Sequence, residues 1–172
     1  MADNPDEIFD VVDGQDRVIG TARRADVHAR KLLHRAVHIL VLNRAGKLFL
    51  QKRSMSKDSQ PGKWDSSASG HLDSGEDYAA AAVREGREEL GVELEGVREI
   101  TRLPASDRTG QEFVRIYQAV HEGPFQLHPG EIDEGKWVSL PELENWITSS
   151  PEDFAGCFLE VWGQSRHAFQ SA

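Results

Sequence analysis

Four glutamates, Glu76, Glu85, Glu88 and Glu89, fall on or just before a single stretch, Tyr78 to Leu90, with Arg84 among them. Like charges three and four residues apart cost roughly 0.2–0.5 kcal/mol per pair on an isolated helix, so the cluster asks for a compensating cation. A hard, oxygen-seeking divalent ion, Mg2+ or Mn2+, suits carboxylates and water and commonly bridges a protein to phosphate oxygens. Arg84 precedes Glu88 by four residues and is placed to orient a carboxylate. Any one of these glutamates alone would be an ordinary solvated side chain. Their joint spacing points to a metal site.

The element that must carry them is a helix. Tyr78 to Leu90 lacks proline and is rich in alanine, Asp77 is a natural N-cap, and Glu76 lies just outside the positive helix end. At about 100° per residue, Glu85, Glu88 and Glu89 share roughly one third of the circumference, while Ala79, Val83, Gly86 and Leu90 lie opposite. This spacing predicts one acidic face and one packing face.

Two further sets of residues bear on chemistry. Lys52, Arg53, Lys57 and Lys63 bracket the loop Ser54 to Gly62, and on a chain of net charge −9 they are candidate phosphate contacts, or else a solubilising loop. His28, His34 and His71 invite a metal reading, although a lone histidine is more often an ordinary hydrogen-bonded or surface residue.

The whole chain narrows the choice. With 172 residues, 38% of them hydrophobic, it suits one globular domain able to bury a full core. Its negative balance argues against a nucleic-acid backbone or an anionic membrane surface as partner. The single Cys157 excludes an internal disulfide framework; it sits among Phe154, Phe158 and Leu159 and reads as core. The N-terminus has no basic-then-apolar pattern and no eighteen apolar residues run together, so a cytoplasmic protein is expected.

Along the chain, residues 1–7 are polar and expected to be loose or disordered. Ile8 to Val12 and Val18 to Ala22 read as a hairpin, and Ala36 to Asn43 with Leu48 to Gln51 as a second hairpin in a central sheet. Lys63 to Ser67 reads as a short strand, Val97 to Leu103 and Glu112 to His121 as a pair across Ser106 to Gly110, and Gly135 to Val138 as another strand. Ser139 with Glu142 makes a capping-box helix start, and Pro151 to Phe169 reads as a last helix. Strands and helices interleaved in this way imply an α/β or α+β sandwich with a mixed sheet.

Gly70, five residues, Glu76, seven residues, Arg84-Glu85, two residues, Glu88-Glu89, one residue, Gly91 and Val92 resembles the signature of the Nudix hydrolases. One position departs from it: Gly86 stands where an aliphatic residue is usual, and a close approach of the helix to the sheet is expected there. The resemblance implies an α/β/α sandwich around a central mixed β-sheet, with residues 35–165 as core and 8–34 as an added N-terminal hairpin extension of a single domain. It also implies catalytic roles for Arg84, Glu85, Glu88 and Glu89, metal ligation by the three glutamates with Glu76 alongside, Gly70 at the substrate, and an additional acid from the Glu131 to Glu134 region, Glu131 or Glu134 themselves.

The run DVVDGQDRVIGTARRADVHARKLLHRAVHILVLN and the later WDSSASGH are similar to the type I isopentenyl-diphosphate isomerases, a branch of the same superfamily. Those enzymes place metal-binding histidines at positions matching His28, His34 and His71, with the first gap one residue longer. They carry a cysteine before the Gly-His pair, where this chain has Ser69, and a degenerate acidic box, where this chain has the full set. A serine hydroxyl is a poor proton relay beside a thiol. The expectation is metal-dependent hydrolysis of a diphosphate linkage, in a nucleoside diphosphate or related derivative, by a monomer or homodimer. The alternatives are isomerisation of an allylic diphosphate and a non-catalytic binding module.

Overall fold

The computed structural model describes residues 3–169. An antiparallel hairpin, β1 (Ile8–Val12) and β2 (Val18–Arg23), opens the chain as the alternation predicts, and a short helix, α1 (Arg24–Ala29), follows. Met1 and Ala2, part of the stretch expected to be loose, lie outside the described residues. Asp3 within that stretch is anchored: its carboxylate accepts from the Arg24 guanidinium at 2.9 Å and from the Asp58 amide at 2.9 Å.

The main sheet is mixed and seven-stranded, built on β3 (His34–Leu42). β3 runs parallel to β8 (Glu112–Val120), which pairs antiparallel with β7 (Arg98–Leu103). The expected hairpin of β3 with β4 (Leu48–Arg53) closes through one register pair, Leu42 with Leu48, and then opens like a fork. Residues 64–71 enter the opening. β5 (Trp64–Asp65) pairs with β4, and β6 (Ala68–His71) pairs with β3, Ala36 facing His71 and His38 facing Ser69. The other edge of β4 takes β9 (Ile132–Val138), three residues longer than the Gly135 to Val138 reading. The two-fold period of strands explains β3: Val37, Ile39 and Val41 face one side, and Ala36, His38, Leu40 and Leu42 the other.

Helices cover both faces. On the Val37 side lies α2 (Tyr78–Leu90), where the Asp77 carboxylate accepts from the Ala80 amide at 2.9 Å and Gly91, at φ +67°, ends the helix. On the other side lie α3 (Leu140–Ser149), with the Ser139/Glu142 capping box as predicted, and α4 (Gly156–Ser165). The single last helix expected over Pro151 to Phe169 is interrupted. A 3-10 turn covers Pro151–Asp153, then Phe154 bridges Trp64 and the Ala155 amide donates to the Trp64 carbonyl at 2.9 Å. Satisfying that sheet-edge carbonyl outweighs helix continuity. The segment Arg166–Phe169 closes as a second 3-10 turn. Among the described residues, no helix is long and apolar enough to cross a membrane.

Candidate active site

The acidic helix meets the sheet differently from the two-face expectation. Ala79 is exposed and Val83 half-buried, whereas Glu85 and Glu89 are buried with Ala81, Ala82, Gly86 and Leu90; Glu88 alone of the three acids is exposed. An alanine-rich helix has little apolar contrast to decide which side turns inward, and β6 decides it. Gly70 has no side chain, and the Glu85 carboxylate lies in the space: a β-carbon on Gly70 would stand 2.0 Å from Glu85 Oε1. The close approach expected at Gly86 is made by Leu94, beyond the helix, whose Cδ1 would lie 2.6 Å from a β-carbon there.

Two buried carboxylates one helical turn apart resist ionisation. Burial, reinforced by the Glu89 charge, raises Glu85 well above the usual carboxylate range. Burial lifts Glu89 to about 8, even though the Ser69 amide donates to it at 3.0 Å and Gln51 Nε2 at 2.7 Å. Arg84 supplies the local positive charge. Its guanidinium donates to both Glu76 oxygens at 2.9 Å, to Glu85 at 2.8 Å, to Glu88 at 3.3 Å and to the His71 carbonyl at 2.9 Å. Glu76 also accepts from the Asp73 amide at 3.0 Å, so its oxygens are engaged. The carboxylates of Glu85, Glu88 and Glu89 do not converge as one three-atom ligand set within 4.8 Å. Glu85 and Glu89 face inward and Glu88 outward. A divalent cation nonetheless fits the chemistry of this donor set, since it relieves two buried acids of which only Glu85 is bonded to an arginine.

His28, His34 and His71 do converge, one ligand nitrogen from each within 4.8 Å of the others, although they come from α1, β3 and β6. Ring centroids are 5.1 to 5.3 Å apart. The β3–β8 register sets Glu112 opposite His34, and Glu112 Oε1 stands 2.9 Å from His71 Nε2 and 3.5 Å from His34 Nε2. His34 Nδ1 lies 2.9 Å from the Leu32 carbonyl, an oxygen that only accepts, so Nδ1 carries a proton, and the buried Nε2 faces Glu112 without a hydrogen bond of normal length. Burial alone would raise Glu112; His34 and His71 outweigh it and hold the carboxyl well below the usual range. Partial desolvation of the His28 ring, with the charges of His71 and Arg24 beside it, lowers that imidazole to about 4, although the residue as a whole is exposed.

One cavity of about 730 Å3 is reached by part of each group: His28 and His71 line it, as do Ser69, Gly70 and Glu89 and the cations Arg24, Arg53 and Lys57, whereas Glu85, Glu88 and His34 are not in its lining. Of the four cations proposed from the sequence, Arg53 and Lys57 reach this cavity. Lys52 and Lys63 do not: they line a smaller pocket with Trp64, Lys52 lying 3.9 Å from Glu134 and Lys63 donating to the Glu152 carbonyl. The twist of β4 and the turn of the 54–62 loop separate residues adjacent in sequence. Arg24, buried and paired with Asp58 at 2.8 Å, carries no sequence signal beyond being one basic residue in a basic run. Glu131 is bonded to Lys57 at 2.5 Å and its charge adds to the rise of Glu89, whereas Glu134 is exposed. Trp64 is buried in the core and Phe113 is half-buried.

A family model described as NUDIX domain matches residues 32–155. Over 165 residues the chain is 35% identical to an uncharacterised Nudix hydrolase of Yersinia pestis, covering 87% of this chain and 91% of that protein. It is 36% identical over 160 residues to an isopentenyl-diphosphate Delta-isomerase of Serratia proteamaculans, covering 91% and 89%. A crystal structure of a Deinococcus radiodurans protein superposes with TM-score 0.75 at 31% identity, over 83% of this chain and 90% of the other.

Proposed function

The chain belongs to the Nudix family, as a Nudix-type hydrolase, and we propose that the bond it cleaves is the diphosphate linkage of a nucleoside diphosphate or a related derivative. The observation that carries this reading is the single cavity on which the buried Glu89, Gly70 and the cations Arg24, Arg53 and Lys57 all open. Nudix hydrolases generally use divalent metal ions. Mg2+ or Mn2+ held by Glu85, Glu88 and Glu89 would neutralise phosphate oxygens and lower the pKa of a bound water.

The chain's own residues supply the rest. Arg53 and Arg24 offer forked donors and Lys57 a point charge to the phosphate oxygens. Each is held in the resting protein by a carboxylate, Asp65, Asp58 and Asp3 respectively, which a polyanionic substrate replaces. Gly70 keeps the space that Glu85 occupies, and Arg84 holds Glu76, Glu85 and Glu88 in fixed orientation. Glu89 and Glu131 are the acids placed to take a proton from the attacking water. The test is phosphate release from a panel of nucleoside and non-nucleoside diphosphates with Mg2+ or Mn2+, wild type against Glu88→Gln. Glu88 is exposed, so that variant keeps its fold, and it is expected to lose hydrolysis. A wild type that releases phosphate from no diphosphate with either ion defeats the reading in favour of a binding module.

A second reading has one observation in its favour. The assembled histidines are those that the resemblance to isopentenyl-diphosphate isomerases implies, and relatives of that name are among the matches. Against it, the residue before Gly70 is Ser69, whose amide is engaged by Glu89. Double-bond migration in an allylic diphosphate without phosphate release decides for isomerisation.

A further inference from the structure

Cys157 is not sealed in the core. It stands at the first turn of α4 and lines the cavity together with His38 and Glu112, two side chains from neighbouring parallel strands. One ligand atom from each of the three lies within 4.8 Å of the others. Sγ of Cys157 is 3.6 Å from Nε2 of His38. A zinc ion with bonds of about 2.3 Å to sulfur and about 2.05 Å to nitrogen, at a tetrahedral angle, sets those atoms about 3.6 Å apart.

The outer contacts of His38 agree with this. Its Nδ1 lies 2.7 Å from the Ser66 hydroxyl, with a carboxylate oxygen of Asp65 at 3.8 Å, so Nδ1 is engaged and Nε2 is the nitrogen that faces the sulfur. A metal-binding imidazole is oriented in the same way, by a hydrogen bond at its other nitrogen. Two-fold strand periodicity puts His38 on the α4 side of β3, away from the acidic helix.

We propose that His38, Cys157 and Glu112 form a binding site for a thiophilic divalent cation of the zinc class, with its remaining position open to the cavity. The donor set differs in kind from the carboxylates of α2: nitrogen and sulfur select zinc or cobalt over magnesium. Burial raises the Cys157 thiol well above its ordinary value and lowers the His38 imidazole, so without an ion the pair is a neutral thiol beside a neutral ring, and binding releases the thiol proton to solvent.

The experiment titrates metal-free full-length protein with Co2+, which reports a bound thiolate by an intense near-ultraviolet charge-transfer band. The band is expected in the wild type and in His28→Ala, is removed by added Zn2+, and is absent in Cys157→Ser and His38→Asn with unchanged circular dichroism. A wild type lacking the band, or a band that survives Cys157→Ser, overturns the site. Should His38→Asn lose its fold, the near-isosteric Cys157→Ser carries the decision. The readout uses no hydrolysis, so it stands or falls separately from the diphosphatase reading.

Discussion

Gly70 and Glu85 occupy one space: the glycine's missing β-carbon would stand 2.0 Å from Oε1 of the glutamate, which is itself buried and held by Arg84 at 2.8 Å. The glycine is a packing requirement of the carboxylate, since its φ is not in the left-handed region and no turn depends on it.

Gly70→Ala therefore displaces the Glu85 carboxylate. Overpacking of this kind costs about 1–3 kcal/mol, or roughly a few degrees in Tm for a domain of this size. Activity is expected to fall further than stability, by about tenfold or more in kcat, because about 1.4 kcal/mol of lost transition-state stabilisation suffices. Thermal melts and steady-state rates on the same preparations compare the two; a fully active Gly70→Ala protein sinks the assignment of Glu85 to the site.

The cations divide by cavity. Hydrogen bonds to charged groups are worth about 1.5–3 kcal/mol, which corresponds to roughly tenfold or more in binding. Arg53→Gln and Lys57→Gln are expected to raise KM by that factor, whereas Lys63→Gln, in the separate pocket, leaves KM where it was. Equal effects from all three would show that the loop, and not this cavity, meets the phosphates.

Asp3 ties the N-terminus to the cavity wall. Burial alone would raise its carboxyl, but the Asp58 amide, Lys57 and Arg24 outweigh burial and hold it at about 2, below the ordinary value of 3.8. A depressed folded pKa gives stability that is present above the unfolded value and lost as pH falls through the folded one. Urea midpoints of wild type and Asp3→Asn should differ at pH 7 and converge between pH 4 and about 2. A gap that stays constant across that window rules out the Asp3 charge as its cause.

Gly86 and Leu94 form a second matched pair, a β-carbon at Gly86 falling 2.6 Å from Leu94 Cδ1. Restoring an aliphatic residue with Gly86→Val is expected to destabilise by about 1–3 kcal/mol. Leu94→Ala in the same chain vacates the space, so the double variant should be more stable than the sum of the singles predicts, by a coupling of about 0.5–3 kcal/mol. Denaturant unfolding of the four proteins measures it; strict additivity means the two side chains do not compete.

Local chemistry is legible in the chain by itself. Asp77 caps α2, Ser139 and Glu142 begin α3, the turn residues between β1 and β2 close a hairpin, and the spacing from Gly70 to Val92 names the family. Each of these depends on residues within a few turns of one another, where sterics and hydrogen bonding act over short sequence distances. Tertiary structure decided the rest. Which face of an alanine-rich helix turns inward depended on a glycine in another strand, and Glu85 and Glu89 went in with it. The fork between β3 and β4 admitted residues 64–71, and only that insertion brought His71 to His28 and His34. Arg24, of a residue type that is usually exposed, is buried, and Cys157 packs against the core as its context suggests but also lines the cavity. Spacing along the chain encodes neither register between distant strands nor the partner that neutralises a charge, because both are properties of residues that meet only when the sheet has formed.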